Sequence, residues 1–122
     1  MENRGEKNPF RQSGVVLKGE GKASKLGFPT INIHFDDPSI TGTYAGKVRI
    51  GSLELNAVIY VNRKKQCLEA HIFDFTEDLY GREVEMELIQ KISGSRNLNN
   101  EDEMKEKMAD DVGLARNYLA GL

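Results

Sequence analysis

Alternation of apolar and polar residues runs through the middle of the chain and predicts a series of short strands. The clearest case is residues 83–92, where Val84, Met86 and Leu88 share one side and glutamates occupy the other. This period of two is typical of a strand with one buried face and one wet face. Further strands, each bounded by turn-forming residues, are predicted at 14–18, 30–35, 43–50, 53–61 and 67–75.

The period changes in the last part of the chain, where a helix is predicted at about residues 100–120. One apolar stripe runs along it at helical spacing, made of Met104, Met108, Val112, Ala115 and Leu119. Asn100, followed three residues later by Glu103, predicts the N-cap. We interpret the two methionines as core residues rather than as a partner-binding groove. Strands followed by one helix indicate a mainly β protein, a small antiparallel barrel with a helix docked on it.

Length and composition narrow the class of protein. The 122 residues suffice for one domain, which we place at 13–122 behind a disordered polar tail at 1–12. The net charge of -2, from 17 basic and 19 acidic residues, argues against a general nucleic-acid or membrane binder. The sequence contains no long apolar run, so it predicts neither a membrane span nor a secretion signal. The single cysteine, Cys67, cannot form an intrachain disulfide, which suits the cytoplasm.

A loop rich in glycine and lysine precedes the strand predicted at 30–35. Small residues allow a backbone to approach a phosphate closely, and lysines supply charge of the matching sign. The candidate nucleotide-binding residues of this loop are Gly19, Gly21, Lys22, Ser24 and Lys25. The alternative is an ordinary surface turn. The loop lacks the P-loop consensus, and no helical pattern follows its glycines as a dinucleotide fingerprint requires.

Thr30 and Asn32 follow this loop and lie two residues apart, so their side chains share one face of the predicted strand. A hydroxyl and an amide oxygen side by side are hard ligands of the kind that Mg²⁺ accepts next to phosphates. We therefore add both residues to the nucleotide-binding set and take them as candidate Mg²⁺ ligands.

Glu69 lies in an otherwise apolar strand and is the main candidate for chemistry. A two-residue period puts it on one face with His71, Phe73 and Phe75, and puts Leu68, Ala70 and Ile72 on the other. A carboxylate beside aromatic residues is incompletely solvated and can serve as a general base. The alternative is that this face simply points to water. We interpret His71 as a structural hydrogen-bonding residue, since a zinc site would have only His34 as a second histidine.

Residues 26–32, Leu-Gly-Phe-Pro-Thr-Ile-Asn, resemble the Leu-Gly-Phe-Pro-Thr-Ala-Asn signature of riboflavin kinases (flavokinases). Other segments that resemble this family follow in the same order, at 14–16, 41–46, 68–75 and 78–81, and the resemblance covers roughly residues 14–119. It implies a six-stranded antiparallel Greek-key barrel with a C-terminal helix. It also implies transfer of the γ-phosphate of ATP to the ribityl 5′-hydroxyl of riboflavin, giving FMN.

The resemblance also implies roles for the candidate residues. Glu69 matches the general base of the family, Thr30 and Asn32 hold Mg²⁺ together with the nucleotide phosphates, and the loop at 19–25 arches over those phosphates. Tyr80 either packs on the flavin ring or merely shapes its turn. We expect riboflavin/FMN and ATP/ADP as partners of a cytoplasmic monomer, with no nucleic acid and no membrane.

Two segments depart from the family pattern, one at residues 60–66 and one at 91–98. The second lies in a region that helps to close over the flavin in the family, so a barrel that binds flavin or nucleotide without catalysis is the alternative function. The basic run Arg63-Lys64-Lys65 is interpreted as a solvated loop and is the only support for a nucleic-acid-binding barrel. We expect a stand-alone kinase domain. FAD synthesis by this chain is not expected, unless the chain is a fragment.

Overall fold

The computed structural model describes residues 10–19, 22–94 and 100–122. Its strands are β1 Phe10–Val15, β2 Ile31–His34, β3 Thr43–Ile50, β4 Leu53–Asn62, β5 Cys67–Ile72 and β6 Glu83–Ser93. Its helices are α1 Lys22–Lys25 and α2 Glu101–Ala120. Within these ranges no helix combines the length and the apolar character that crossing a membrane requires.

The six strands form one antiparallel sheet in the order β1-β6-β3-β4-β5-β2. The two edge strands come together just beyond the end of β1, where the Leu17 N–H donates to the Asn32 carbonyl of β2 at 2.7 Å. The sheet is therefore nearly closed on itself. The predicted fold class, a six-stranded antiparallel barrel with a C-terminal helix, is confirmed.

Two apolar clusters stabilise this arrangement. The interior of the barrel holds fully buried side chains, among them Ile33, Val48, Ile59, Leu68 and Met86. A second cluster joins the outer face of the sheet to α2, and its buried members are Ala45, Val58, Phe73, Ala115 and Leu119. Gly46 lies where β3 and β6 approach most closely, because a side chain there would overlap the Glu87 carbonyl oxygen. The outer face of β5 thus ends beside a docked helix, which matters for the candidate site below.

The helix follows its predicted pattern. The side-chain oxygen of Asn100 accepts a hydrogen bond from the Glu103 N–H at 2.8 Å, so the predicted N-cap is confirmed. Three members of the apolar stripe are buried, and Met104 and Val112 are half-buried. The stripe therefore packs on the barrel, as predicted, rather than facing solvent.

Three predicted boundaries were wrong. β1 begins at Phe10, so residues 10–12 belong to the barrel rather than to the tail, whose residues 1–9 lie outside the described ranges. Residues 22–25 form one helical turn, too short to show a helical period in the sequence. β5 ends at Ile72, and the positive φ of 57° at Asp74 breaks the alternation. Phe75 consequently packs against the interior cluster instead of sharing the face of Glu69.

The predicted wet face of β6 was also wrong at one position. Glu87 is buried, and its carboxylate accepts a hydrogen bond from Arg49 at 2.6 Å and lies 3.5 Å from Arg11. The two guanidinium groups balance the charge of the buried carboxylate, an effect that a simple alternation of apolar and polar residues does not reveal.

Candidate active site

Three polar side chains lie in a row on the outer face of neighbouring strands. The register places Glu69 of β5 directly opposite Asn32 of β2 on one side and opposite Tyr60 of β4 on the other. Directly opposed residues of antiparallel strands have Cβ atoms about 4.5–5.5 Å apart. Glu69 therefore has a polar neighbour on each side, and its inward-facing sequence neighbours Leu68 and Ala70 are fully buried.

Two donors hold the carboxylate of Glu69. Asn62 Nδ2 donates to Oε2 at 2.9 Å, and the Cys67 thiol donates to the same oxygen at 3.7 Å. Burial, together with the negative charge of Glu69, raises the pKa of Cys67 to about 12, so this thiol keeps its proton and remains a donor. Both of these hydrogen bonds end on Oε2, so Oε1 is the carboxylate oxygen that they leave as an acceptor.

Asn32 presents a buried acceptor that nothing in the described chain satisfies. Its Oδ1 is buried without a hydrogen-bond partner there. An unsatisfied buried polar group costs about 1–3 kcal/mol, so such an atom beside a candidate base indicates a ligand. Gly19 packs on the same amide, since a Cβ at Gly19 would lie only 2.8 Å from Asn32 Nδ2. The amide oxygen and the nearby Thr30 hydroxyl suit Mg²⁺, which is bound through few protein ligands and substrate phosphates.

A cavity of about 470 Å³ lies on the opposite, inner side of β2 and β5, where its walls include Ile31 and Ala70 of the interior cluster. Its walls also include Lys18, Gly19, Thr30, Phe75 and Tyr80. Glu69 and Asn32 do not line the cavity, but Thr30 does, and it lies two residues before Asn32. The cavity and the polar row thus lie on opposite faces of β5, and the segment from Thr30 to Asn32 links them along the chain.

His71 connects the turn at residues 26–29 to β5. Its Nδ1 lies 2.8 Å from the Pro29 carbonyl oxygen, which requires the tautomer with a proton on Nδ1. The ring also makes edge-to-face contacts with Phe28 and Phe73, at centroid distances of 5.6 and 6.0 Å. The turn needs Gly27, whose φ is 93°. These contacts hold the backbone that enters Thr30.

The structure brings some of the predicted site residues together and leaves others apart. Gly19, Thr30 and Tyr80 line the cavity, while Asn32 and Glu69 lie opposite each other on the outer face of the sheet. Lys22 begins α1, Ser24 and Lys25 follow with exposed side chains, and Gly21 lies outside the described residues. Of the two divergent segments, residues 60–62 belong to β4 and 91–93 to β6, while 95–99 are likewise outside.

Sequence reasoning missed the polar residues that surround Glu69. Tyr60 and Asn62 lie on the outer face of β4, two residues apart, and that spacing within a strand was the available signal. Lys107 and Asp111 of α2 were missed as well. Both are buried, and they lie four residues apart next to the apolar stripe. Asp111 and Glu69 both raise the pKa of Tyr60, after the larger effect of burial.

Comparison with known proteins identifies the family. A family model described as riboflavin kinase (Flavokinase) matches residues 6–119 of the chain. The chain belongs to the riboflavin kinase family. The resemblance inferred from its motifs is thereby confirmed.

Individual relatives of this riboflavin kinase domain agree. It is 35% identical over 120 residues to a bifunctional riboflavin kinase/FMN adenylyltransferase of Haemophilus influenzae, covering 91% of this chain and 39% of that protein. The chain thus spans about two fifths of the length of this curated relative.

Two solved structures share the fold. A riboflavin kinase from Trypanosoma brucei superposes with a TM-score of 0.72 over 98% of this chain and 82% of that one, and at 20% identity it shows the fold alone. A protein from Streptococcus pneumoniae described as a macrolide-efflux protein gives 0.76 at 25% identity, over 89% of this chain and 39% of that one.

Proposed function

We propose that this chain transfers the γ-phosphate of ATP to the ribityl 5′-hydroxyl of riboflavin and so produces FMN. The observation that carries the proposal is the register that sets Glu69 directly opposite Asn32, two residues after Thr30, which lines the cavity. A base, a pair of oxygen ligands and a phosphate-sized space are the parts that phosphoryl transfer to a hydroxyl needs, since this reaction depends mainly on positioning and electrostatics.

Glu69 would accept the proton of the attacking hydroxyl through Oε1. Asn62 and Cys67 hold Oε2, so the carboxylate is oriented before the substrate arrives. A correctly placed general base contributes about 10²–10⁴ in rate. Because the Cys67 thiol stays protonated, it supports the carboxylate without competing with it as a base.

The nucleotide would occupy the cavity, with Lys18 and Gly19 near its phosphates. Thr30 and the unsatisfied Oδ1 of Asn32 would hold Mg²⁺. When bound there, Mg²⁺ neutralises charge that develops on the transferring phosphoryl group. Tyr80 lines the same cavity as Gly19 and Thr30, and this position favours a contact with the nucleotide over the predicted contact with the flavin.

Incubation with riboflavin, ATP and Mg²⁺, followed by separation of FMN, tests the proposal. Glu69→Gln keeps the size of the side chain and removes the base, so kcat should fall by about 10²–10⁴. Glu83→Gln is the matched control, because Glu83 is an exposed strand glutamate on β6 and should leave kcat unchanged. Riboflavin binding without turnover in the parent protein would favour the non-catalytic module, and equal turnover in Glu69→Gln would exclude its role as base.

We further propose that the protein acts in the cytoplasm as a monomer, without nucleic-acid or membrane partners. The net charge of -2 and the single, buried cysteine support this setting. Sedimentation of the purified protein, and a gel shift with RNA at low salt, would detect a dimer or a nucleic-acid complex.

A further inference from the structure

Tyr60 carries the second buried, unsatisfied side-chain atom of the polar row. Its hydroxyl is buried and, like Asn32 Oδ1, has no hydrogen-bond partner among the residues that the structure describes. The two orphaned atoms lie on opposite sides of Glu69, one on β2 and one on β4. Buried hydroxyls are normally satisfied, so an orphan on each side of a candidate base points to two different ligand groups.

The neighbouring network cannot satisfy this hydroxyl. Lys107 Nζ lies 5.6 Å from the centre of the Tyr60 ring, and it already donates to Asp111, Thr43 and Ser93 at 2.6, 3.3 and 3.4 Å. An ammonium group has three hydrogens, so none remains. The two carboxylate oxygens of Asp111 accept from Lys107 and Ser93 respectively. The Tyr60 hydroxyl therefore has no partner in this network, and Lys107 contacts the ring instead.

We propose that Tyr60 binds the acceptor substrate, with its phenol O–H donating to a hydroxyl oxygen of the polyol chain whose terminal hydroxyl reaches Glu69. This inference rests on the proposed function and assigns one further substrate contact to it, that of the Tyr60 hydroxyl. Asn32, the candidate Mg²⁺ ligand, lies on the β2 side of Glu69, so the acceptor is left the β4 side, where the orphaned Tyr60 hydroxyl lies. A polyol offers an acceptor oxygen on every carbon, which suits a donor placed next to the base.

The phenol acts as a donor because it keeps its proton. Burial, reinforced by the charges of Asp111 and Glu69, raises the pKa of Tyr60, so the hydroxyl is un-ionised at physiological pH. A neutral phenol beside a carboxylate can bind one polyol hydroxyl while the carboxylate accepts the proton of another.

Tyr60→Phe tests the proposal, since it removes only the hydroxyl. The probes are riboflavin and lumiflavin, which carries the flavin ring without the polyol, and binding is measured by quenching of flavin fluorescence. We expect the Kd of riboflavin to rise roughly 3- to 10-fold, the value of one neutral hydrogen bond, and the Kd of lumiflavin to stay unchanged. KM for ATP should not move, and Tyr118→Phe, on the exposed side of α2, should change nothing.

Thermal unfolding of the ligand-free variant provides the second readout. An orphaned hydroxyl contributes nothing to the free protein, so Tyr60→Phe should have an equal or higher Tm than the parent. A Tm lowered by several degrees would mean that the hydroxyl has a partner without substrate, and the proposal would be overturned. Equal effects on riboflavin and lumiflavin, or no effect on either, would also overturn it.

The two hypotheses fail in different ways. A parent protein that binds riboflavin more tightly than lumiflavin but makes no FMN contradicts the kinase function, while the Tyr60 comparison still stands or falls by its own binding data. A parent protein that makes FMN with Tyr60→Phe binding riboflavin normally contradicts only the role of Tyr60. A parent protein that binds neither flavin overturns both.

Discussion

A single imidazole links the strand of Glu69 to the segment that carries Thr30. The Nδ1–H of His71 donates to the Pro29 carbonyl, the oxygen of the peptide bond that enters Thr30. Fixing this peptide orients the backbone from which the Thr30 hydroxyl projects. His71 is therefore a positioning residue, and the sequence-based interpretation of it as a structural hydrogen-bonding residue agrees with this contact.

Two substitutions of His71 separate the hydrogen bond from the ring. Asparagine places an N–H donor where Nδ1 lies, whereas the amide of glutamine corresponds to Nε2. We expect His71→Asn to keep kcat/KM for MgATP within about threefold and His71→Gln to lose roughly tenfold, because one neutral hydrogen bond is worth about 0.5–1.5 kcal/mol. Steady-state kinetics at varied Mg²⁺ would measure both.

His34 is the control for these variants. It is the other histidine of the chain, its exposed side chain lies 3.6 Å from Asp36, and His34→Asn should leave the kinetics unchanged. If His71→Asn and His71→Gln lose the same activity, the contacts of the ring with Phe28 and Phe73 matter, and the hydrogen bond to Pro29 does not.

At the scale of the element, α2 joins the barrel through a buried ion pair as well as through its apolar stripe. Lys107 Nζ and Asp111 Oδ2 are 2.6 Å apart, and both side chains are nearly inaccessible to solvent. Removing one partner of such a pair leaves an uncompensated buried charge, whereas replacing both with apolar residues is often neutral. Removing one member of the pair should therefore destabilise the protein more than replacing both.

Lys107→Met should therefore lower the free energy of unfolding by about 3–5 kcal/mol, and the double variant Lys107→Met/Asp111→Leu should recover most of that loss. Urea denaturation of the single and double variants measures the coupling. The exposed pair of Arg116 and Asp74, 3.4 Å apart, is the control, and Asp74→Asn should cost less than about 1 kcal/mol. A double variant as unstable as Lys107→Met would show that the network stabilises the helix by other means.

Across the whole molecule, elements with a long periodic sequence pattern were predicted. Features set by a single turn or by contacts between elements were not. β6 and α2 were predicted because their periods of 2 and 3.6 persist over many residues. The end of β5 was not, because the left-handed backbone at Asp74 belongs to a turn that leaves no period. The burial of Lys107 was not predicted, because lysine is normally exposed and this burial depends on partners from three elements.

In the candidate site, likewise, some residues were predicted from the sequence, but their arrangement was not. Glu69, Thr30 and Asn32 were singled out by residue type and spacing, but only the pairing of β2 with β5 sets Glu69 opposite Asn32. Tyr60 became relevant only when β4 paired with β5 on the other side. Strand register is a property of the closed sheet, since a slip by one residue would send every side chain to the opposite face.

The arrangement of the whole molecule predicts how the two substrates meet. Asn32, the candidate Mg²⁺ ligand, lies on one side of Glu69, and Tyr60 lies on the other. Because two substrates can approach one base from opposite sides, transfer should be direct, within a complex that contains both. Initial rates at varied riboflavin and ATP should then give intersecting double-reciprocal lines.

A phosphorylated enzyme is the alternative route, and it makes a different prediction. It would give parallel double-reciprocal lines and would exchange labelled ADP into ATP without riboflavin, since the phosphoryl group would rest on a side chain between the two half-reactions. Glu69 is the carboxylate that such a route would use here, but its polar neighbours Asn32 and Tyr60 lie on opposite sides of it and can receive the two substrates at once. We therefore expect no exchange without riboflavin. Exchange above background that Glu69→Gln abolishes would replace the base with a nucleophile and would remove the need for both substrates to be bound together.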